Sequence, residues 1–152
     1  MRLPSPIGVY GQPIGWPSFI LKMYKKDFDK WNEIKKSMDR GSVELSIRAG
    51  EVRWASLGVN IGSEVDGKGE LFMRPVLIIN VKGPTAALVI PLTSKEKALP
   101  GYFPLEYEEK VSTLCVHQLK VISQKRIFER IGKVPSDKLQ VCKEHIKSFF
   151  EL

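Results

Sequence analysis

The sequence predicts a mainly β domain with helices: an α+β fold in which a small twisted antiparallel sheet, or partly closed barrel, carries a C-terminal helix and an N-terminal helical extension. Three observations predict it. Short runs rich in β-formers recur from Glu51 onward. One long loop, between Leu57 and Arg74, holds Gly58, Gly62, Gly67 and Gly69. The chain closes on an amphipathic repeat, Leu139, Cys142, Ile146 and Phe149, with Phe150 beside it.

The elements follow in order. Residues 1–22 are rich in Pro and Gly and aperiodic, which predicts an irregular segment. Residues 23–49 read as a helical extension. Tyr24, Phe28, Trp31, Ile34 and Met38 fall three and four apart, Asp27 and Asp29 sit near the start, and Lys35, Lys36 and Arg40 near the end, as the helix dipole favours. Its stripe either docks on the domain or presents lysines to RNA or to a partner. Gly41 reads as its C′ residue, and Val43, Leu45 and Ile47 alternate as a short extended lead-in to the first strand. The main domain is expected over 50–152.

Glu51–Leu57 reads as the first strand of that domain, and the Gly-rich loop after it reads as functional and mobile until a ligand binds. Arg74-Pro75 opens the run Val76-Leu77-Ile78-Ile79. A residue before proline is pushed into extended backbone, so Arg74 is placed where loop meets sheet. Lys82-Gly83-Pro84-Thr85 is a turn signal. A regular hairpin centred on Gly83–Pro84 pairs positions summing to 83 + 84 = 167, and 74 + 93 gives the same sum, so Arg74 would face Thr93. A guanidinium beside a hydroxyl at a Gly-rich loop makes a phosphate site; an Arg capping a strand and a Thr in a β position make an ordinary sheet edge. A bulge would break the register.

Tyr102–Tyr107, Val111–Cys115 and Leu119–Ile122 read as further strands, the last two as separate strands or one bent strand. Ser123 reads as the N-cap of a short helix Gln124–Ile131 that Gly132 stops, and Pro135-Ser136 opens the last helix.

With 24 Lys and Arg against 17 Asp and Glu, the net charge of +7 suits an anionic partner: nucleic acid, an acidic protein or a membrane surface. The excess is spread, nine against five in residues 1–50 and fifteen against twelve beyond, so there is no polybasic tract. Cys115 and Cys142 cannot make a disulfide framework, and with two histidines they fit no zinc spacing; reduced thiols in the cytoplasm are expected. No apolar run approaches membrane-spanning length, and Pro4, Pro6, Pro13 and Pro17 interrupt any signal-peptide core.

The segments GEVRW, LGVNIGSE, RPVLII and PLTSK, in that order, followed by Cys115–Ser123 and Lys125-Arg126, resemble the MazF/PemK toxins of type II toxin–antitoxin systems. The resemblance runs from Gly50 to the C-terminus, about two thirds of the chain. It implies a Src-homology-3-like barrel forming a homodimer, and a metal-independent, sequence-selective endoribonuclease that cuts single-stranded RNA without a cofactor. It also implies products with 2′,3′-cyclic phosphate and 5′-hydroxyl ends, inhibition by a cognate antitoxin, and DNA binding in complex with that antitoxin. Catalysis is implied at Arg74 and Thr93. The segment between Glu64 and Arg74 is longer here than in compact family members, which bears on substrate selection. Two other functions stay open on this fold: a CcdB-like poison of DNA gyrase, and a non-catalytic barrel that binds RNA.

RNA supplies its own nucleophile, the 2′-hydroxyl. The protein must take that proton, protonate the leaving 5′ oxygen and stabilise charge on the phosphate, effects each worth roughly a hundredfold or more. Arg74 suits the phosphate and, always protonated, suits the base role poorly. Thr93 can donate its hydroxyl. Glu64 on the loop and His117 are the candidate bases, Glu64 being the one taken into the catalytic set. Lys68, Ser94, Lys95, His117, Gln118 and Lys120 are expected along the RNA path, and no metal ligand is assigned.

Overall fold

The computed structural model describes residues 25–43 and 45–152. The irregular segment expected over 1–22, and Tyr24 in the helix stripe, lie outside these residues. Seven strands form one antiparallel sheet: β1 (Glu51–Ser56), β2 (Met73–Lys82), β3 (Ala86–Thr93), β4 (Tyr102–Tyr107), β5 (Lys110–Cys115), β6 (Lys120–Ser123) and β7 (Ile127–Lys133). The order across it is β4-β5-β3-β2-β1-β7. β3 shares one edge between two partners, β6 along Ala86–Val89 and β5 at Leu92 and Thr93. Among the described residues two α-helices complete the fold, α1 (Phe28–Arg40) and α2 (Ser136–Phe150).

Strand alternation builds two cores. Leu77 and Ile79 of β2 and Ile90 and Leu92 of β3 join Leu139, Cys142 and Ile146 of α2. Their neighbours Val76 and Ile78, with Ala87 and Val89, face the other way and pack on Ile47, Ala55, Leu57, Ile122 and Ile127. Both faces of the central strands are therefore dry, which explains why β2 and β3 read as unbroken apolar runs.

α1 starts where Asp27 caps it, its Oδ1 accepting from Lys30 N at 2.9 Å. Trp31 is the buried member of its stripe and packs on Val59 and Phe72 with Ile34 and Met38 alongside. Gly41 adopts an extended conformation rather than the left-handed one. Of Val43, Leu45 and Ile47, only Ile47 is buried.

Two expectations change. The segment after Ser123 is a helix for one turn only, Gln124–Arg126, with Ser123 Oγ accepting from Lys125 N. From Ile127 the chain becomes β7 and pairs with β1, Ala55 with Ile127, Arg53 with Arg130 and Val52 with Gly132. The open edge of β1 offers backbone partners that a second turn of helix could not. Gly132 does not stop a helix: a Cβ there would come within 2.7 Å of the Tyr107 ring. The hairpin also differs. Lys82 pairs with Ala86, so the turn has three residues and its positions sum to 82 + 86 = 168. A bulge between Ile78 and Asn80 then returns the sum to 78 + 89 = 167, and Val76 faces Pro91.

Candidate functional site

The loop from Leu57 to Phe72 is shaped by its own polar groups. Asn60 donates from Nδ2 to the carbonyls of Leu57 and Val65, and its N–H reaches Asp66 Oδ1 at 2.6 Å. Gly67 N–H donates to the Gly58 carbonyl at 2.8 Å, and Lys68 and Met73 exchange both backbone bonds. Gly67 is required where it stands, because a Cβ would overlap the Phe72 carbonyl.

This loop folds back onto the mouth of β2 and holds Arg74. Arg74 Nε donates to the Asp66 carbonyl at 2.7 Å and Nη1 to the Leu92 carbonyl at 3.2 Å. Nη2 has no protein partner among the described residues, and no carboxylate there lies in ion-pair range of the guanidinium. A half-buried cation held only by carbonyls, with one edge of its fork free, is set to receive an anion. The paired register of β2 and β3 ends at Val76 and Pro91 on the 167 sum, and Arg74 and Thr93 each stand two residues beyond it. Thr93 Oγ1 accepts from Lys95 N at 3.2 Å, which leaves its proton available.

Arg74 and Thr93 line one open cleft of about 610 Å³, together with Lys68, Gly69 and Ser94. Trp54, Met73, Pro75, Leu92, Ser112 and Glu129 complete its wall. Of the residues expected from sequence, Arg74, Thr93, Lys68 and Ser94 come together here. Glu64, Lys95, His117, Gln118 and Lys120 do not line this cleft. Lys95 is exposed one step beyond it. His117 approaches the Gly101 carbonyl through Nδ1 at 3.0 Å and meets the Tyr102 ring edge-on at 4.9 Å. Gln118 braces the loop: its Oε1 accepts from Val65 N at 3.1 Å, and its Nε2 reaches the Ser63 carbonyl.

Lys120 opens β6, paired with Val89 of β3. Burial pushes its ammonium below the usual lysine range, Arg126 pushes the same way, and Glu64 partly offsets both. Burial likewise holds the Cys115 thiol above its ordinary value against the pull of Arg74 and Lys97, which disfavours its thiolate. Glu51 goes the other way. Burial would raise its carboxyl, but the Arg53 Nε bond at 2.6 Å, the Arg48 N–H and the Arg53 and Arg130 charges bring it below the usual value.

A sequence profile of the PemK-like, MazF-like toxins of type II toxin–antitoxin systems matches residues 48–150. The chain belongs to this family. Solved structures share its fold. MazF from Deinococcus radiodurans is 19% identical with a TM-score of 0.58, over 72% of this chain and 100% of its own. An endoribonuclease in complex with its cognate antitoxin, from a mycobacterial species, is 12% identical at a TM-score of 0.55, over 70% of this chain and 97% of its own. Toxin MazF-mt6 of Mycobacterium tuberculosis is 19% identical at 0.51, over 67% and 97%. A search of curated protein sequences returns no match. At these identities the structures speak for the MazF-like fold alone. Sequence reasoning missed Trp54 and Glu129 in the cleft of this family member: Trp54 stands inside the GEVRW segment, and Glu129 falls where a helix was expected.

Proposed function

We propose that this chain is a metal-independent, sequence-selective endoribonuclease toxin that cuts single-stranded RNA and is inhibited by a cognate antitoxin. The observation that carries the reading is Arg74: a guanidinium fixed by two carbonyls, in a cleft that Thr93, Lys68 and Trp54 also line. Arg74 and Thr93 donate to the non-bridging oxygens of the scissile phosphate, where charge grows as the 2′-oxygen attacks. Lys68 and Ser94 hold the flanking backbone. The half-buried Trp54 gives one base a stacking face.

The 2′-hydroxyl proton goes to a carboxylate. Glu129 stands in the cleft wall and Glu64 outside it, so Glu129 takes the base role with the loop as it lies, and Glu64 takes it only if the loop moves. His117, Gln118, Lys95 and Lys120 extend the RNA path beyond the cleft. As the 2′-oxygen bonds to phosphorus the P–O5′ bond breaks and the leaving oxygen takes a proton from water, so the products carry 2′,3′-cyclic phosphate and 5′-hydroxyl ends. A homodimer in the cytoplasm, with an acidic antitoxin segment across the basic cleft, completes the proposal; among the described residues no helix is long and apolar enough to cross a membrane.

The test is cleavage of a mixed-sequence single-stranded RNA in EDTA, with the ends identified chemically. Cutting with those ends supports the reading. Trapped gyrase–DNA complexes, or RNA binding without cutting, overturn it.

A further inference from the structure

We propose that α1 positions the candidate site, acting through Trp31 and Lys26 on the loop and through the loop on Arg74; the catalytic half of this inference rests on the endoribonuclease reading. The helix is additional to the matched family region, since it ends at Arg40 and the profile begins at residue 48. Similar structures are covered over 97–100% of their own length while this chain is covered over 67–72%.

The contacts fall on the two ends and the middle of the loop. Trp31, 5% exposed, lies directly beneath Gly58, where a Cβ would overlap its indole. Gly58 has φ +78°, so its bareness serves both the turn and the close approach of the ring. The same indole meets Phe72 edge-on at 5.8 Å. One ring thus pins the first and last residues of the excursion, with the Arg126 guanidinium on it at 5.3 Å. Arg126 is itself anchored to β1 and its exit through the carbonyls of Ser56 and Leu57.

Lys26, just ahead of α1, caps the middle. Its Nζ donates to the carbonyls of Asn60 and Gly62 and pairs with the Asp66 carboxylate at 3.3 Å. Asp66 is also the residue whose carbonyl holds Arg74 Nε. Further out, Lys30 pairs with Glu70, and Lys125 donates to the Asp39 carbonyl at 2.7 Å. Neither Trp31 nor Lys26 lines the cleft. What they hold is the segment that aims Arg74 and carries Lys68. A loop with this many glycines would otherwise sample many conformations, and ordering it in advance removes that entropy cost from RNA binding.

The experiment compares the full chain with Lys26→Met, Trp31→Ala and Trp31→Phe, without RNA, by amide hydrogen exchange and by the ¹⁵N-detected Arg74 Nε–H signal. In Lys26→Met and Trp31→Ala the amides from Gly58 to Phe72 are expected to exchange at least about tenfold faster while the β2–β3 amides keep their wild-type rates, as a local opening requires. The Arg74 Nε–H signal broadens in both, and Trp31→Phe restores part of the protection. RNA cleavage by the two variants falls by about tenfold or more, chiefly in kcat. Unchanged loop exchange and an unchanged Arg74 signal in a folded variant overturn the proposal. So does equal acceleration across β2 and β3, which would make α1 a general stabiliser. Should Trp31→Ala not fold, Lys26→Met decides. A wild-type chain that cuts no RNA removes the endoribonuclease reading and leaves the exchange arm to judge the clamp.

Discussion

Arg74 Nε donates to the Asp66 carbonyl at 2.7 Å, and this bond ties the Gly-rich loop to the mouth of β2. The guanidinium therefore has a structural duty through Nε and Nη1 and, in the proposed reaction, a chemical one through its free edge. Arg74→Ala is expected to lower cleavage by about a hundred- to a thousandfold, the usual effect of removing a donor to developing charge. It also removes two hydrogen bonds from a charged donor, a loss of about 2 kcal/mol and roughly 4–8 °C in Tm for a domain of this size. Arg74→Lys should stay within a tenth of wild-type activity or below, because a point charge cannot span carbonyl and phosphate together. Single-turnover cleavage in EDTA, beside circular dichroism melts, measures both. Full activity in a folded Arg74→Ala protein would place the chemistry elsewhere.

That Arg74 and Thr93 line one cleft was legible because two departures from a regular hairpin cancel before the paired register ends at Val76 and Pro91. The three-residue turn raises the register sum by one and the bulge between Ile78 and Asn80 lowers it again. The loop's location was legible from its glycines, but not its contacts with Trp31 and Lys26, which are distant in sequence and meet it only in the folded chain. Glu129 was hidden for a physical reason. Ile127 and Ile131 stand four apart behind a good N-cap, which favours a helix locally, and the pairing that makes β7 is supplied by β1 about seventy-five residues earlier. Trp54 shares a face with Val52 and Ser56 by alternation, yet which face opens on a cleft is a tertiary fact.

The two carboxylates separate cleanly. Glu129→Gln is expected to cost at least about a hundredfold in kcat, the size of effect a lost general base has. Glu64→Gln is expected to stay within about threefold, as for a group that touches no reacting atom. Matched single-turnover cleavage rates of the two variants at one pH distinguish them. The reverse ranking would mean that the loop moves to bring Glu64 over the phosphate.

Base stacking and phosphate charge have different salt signatures. Trp54→Ala should weaken binding of a short single-stranded RNA by about 1–3 kcal/mol with no change in the slope of log K against log salt. Lys68→Ala should flatten that slope by about 0.7, one phosphate contact on a single strand. Fluorescence anisotropy across a salt series reads both. A changed slope for Trp54→Ala, or none for Lys68→Ala, contradicts the placement of these residues on the RNA.

Lys120 should show stability and function pulling apart. Its ammonium is disfavoured by burial and then by Arg126, with Glu64 offsetting only part, so its pKa is lower folded than unfolded. Between those two values the unfolded chain binds more protons, and stability rises with pH across that window. Below the window the penalty for a charged Lys120 is present in full; above it, the neutral amine relieves it. Lys120→Met keeps the stem packed and removes the charge, so it should melt higher than wild type at pH 7, and the advantage should shrink as the pH rises toward the lysine range of about 10.4. The difference between the two melting curves, taken from pH 7 to about 10, isolates this group from the other lysines and tyrosines that titrate in both proteins. The same variant should bind RNA more weakly, since the cation it loses belongs to the RNA path proposed beyond the cleft. Such an exchange of stability for binding is common at functional sites. A variant that melts lower at pH 7, or whose advantage is constant with pH, would mean that the Glu64 interaction outweighs burial and that Lys120 is a structural cation.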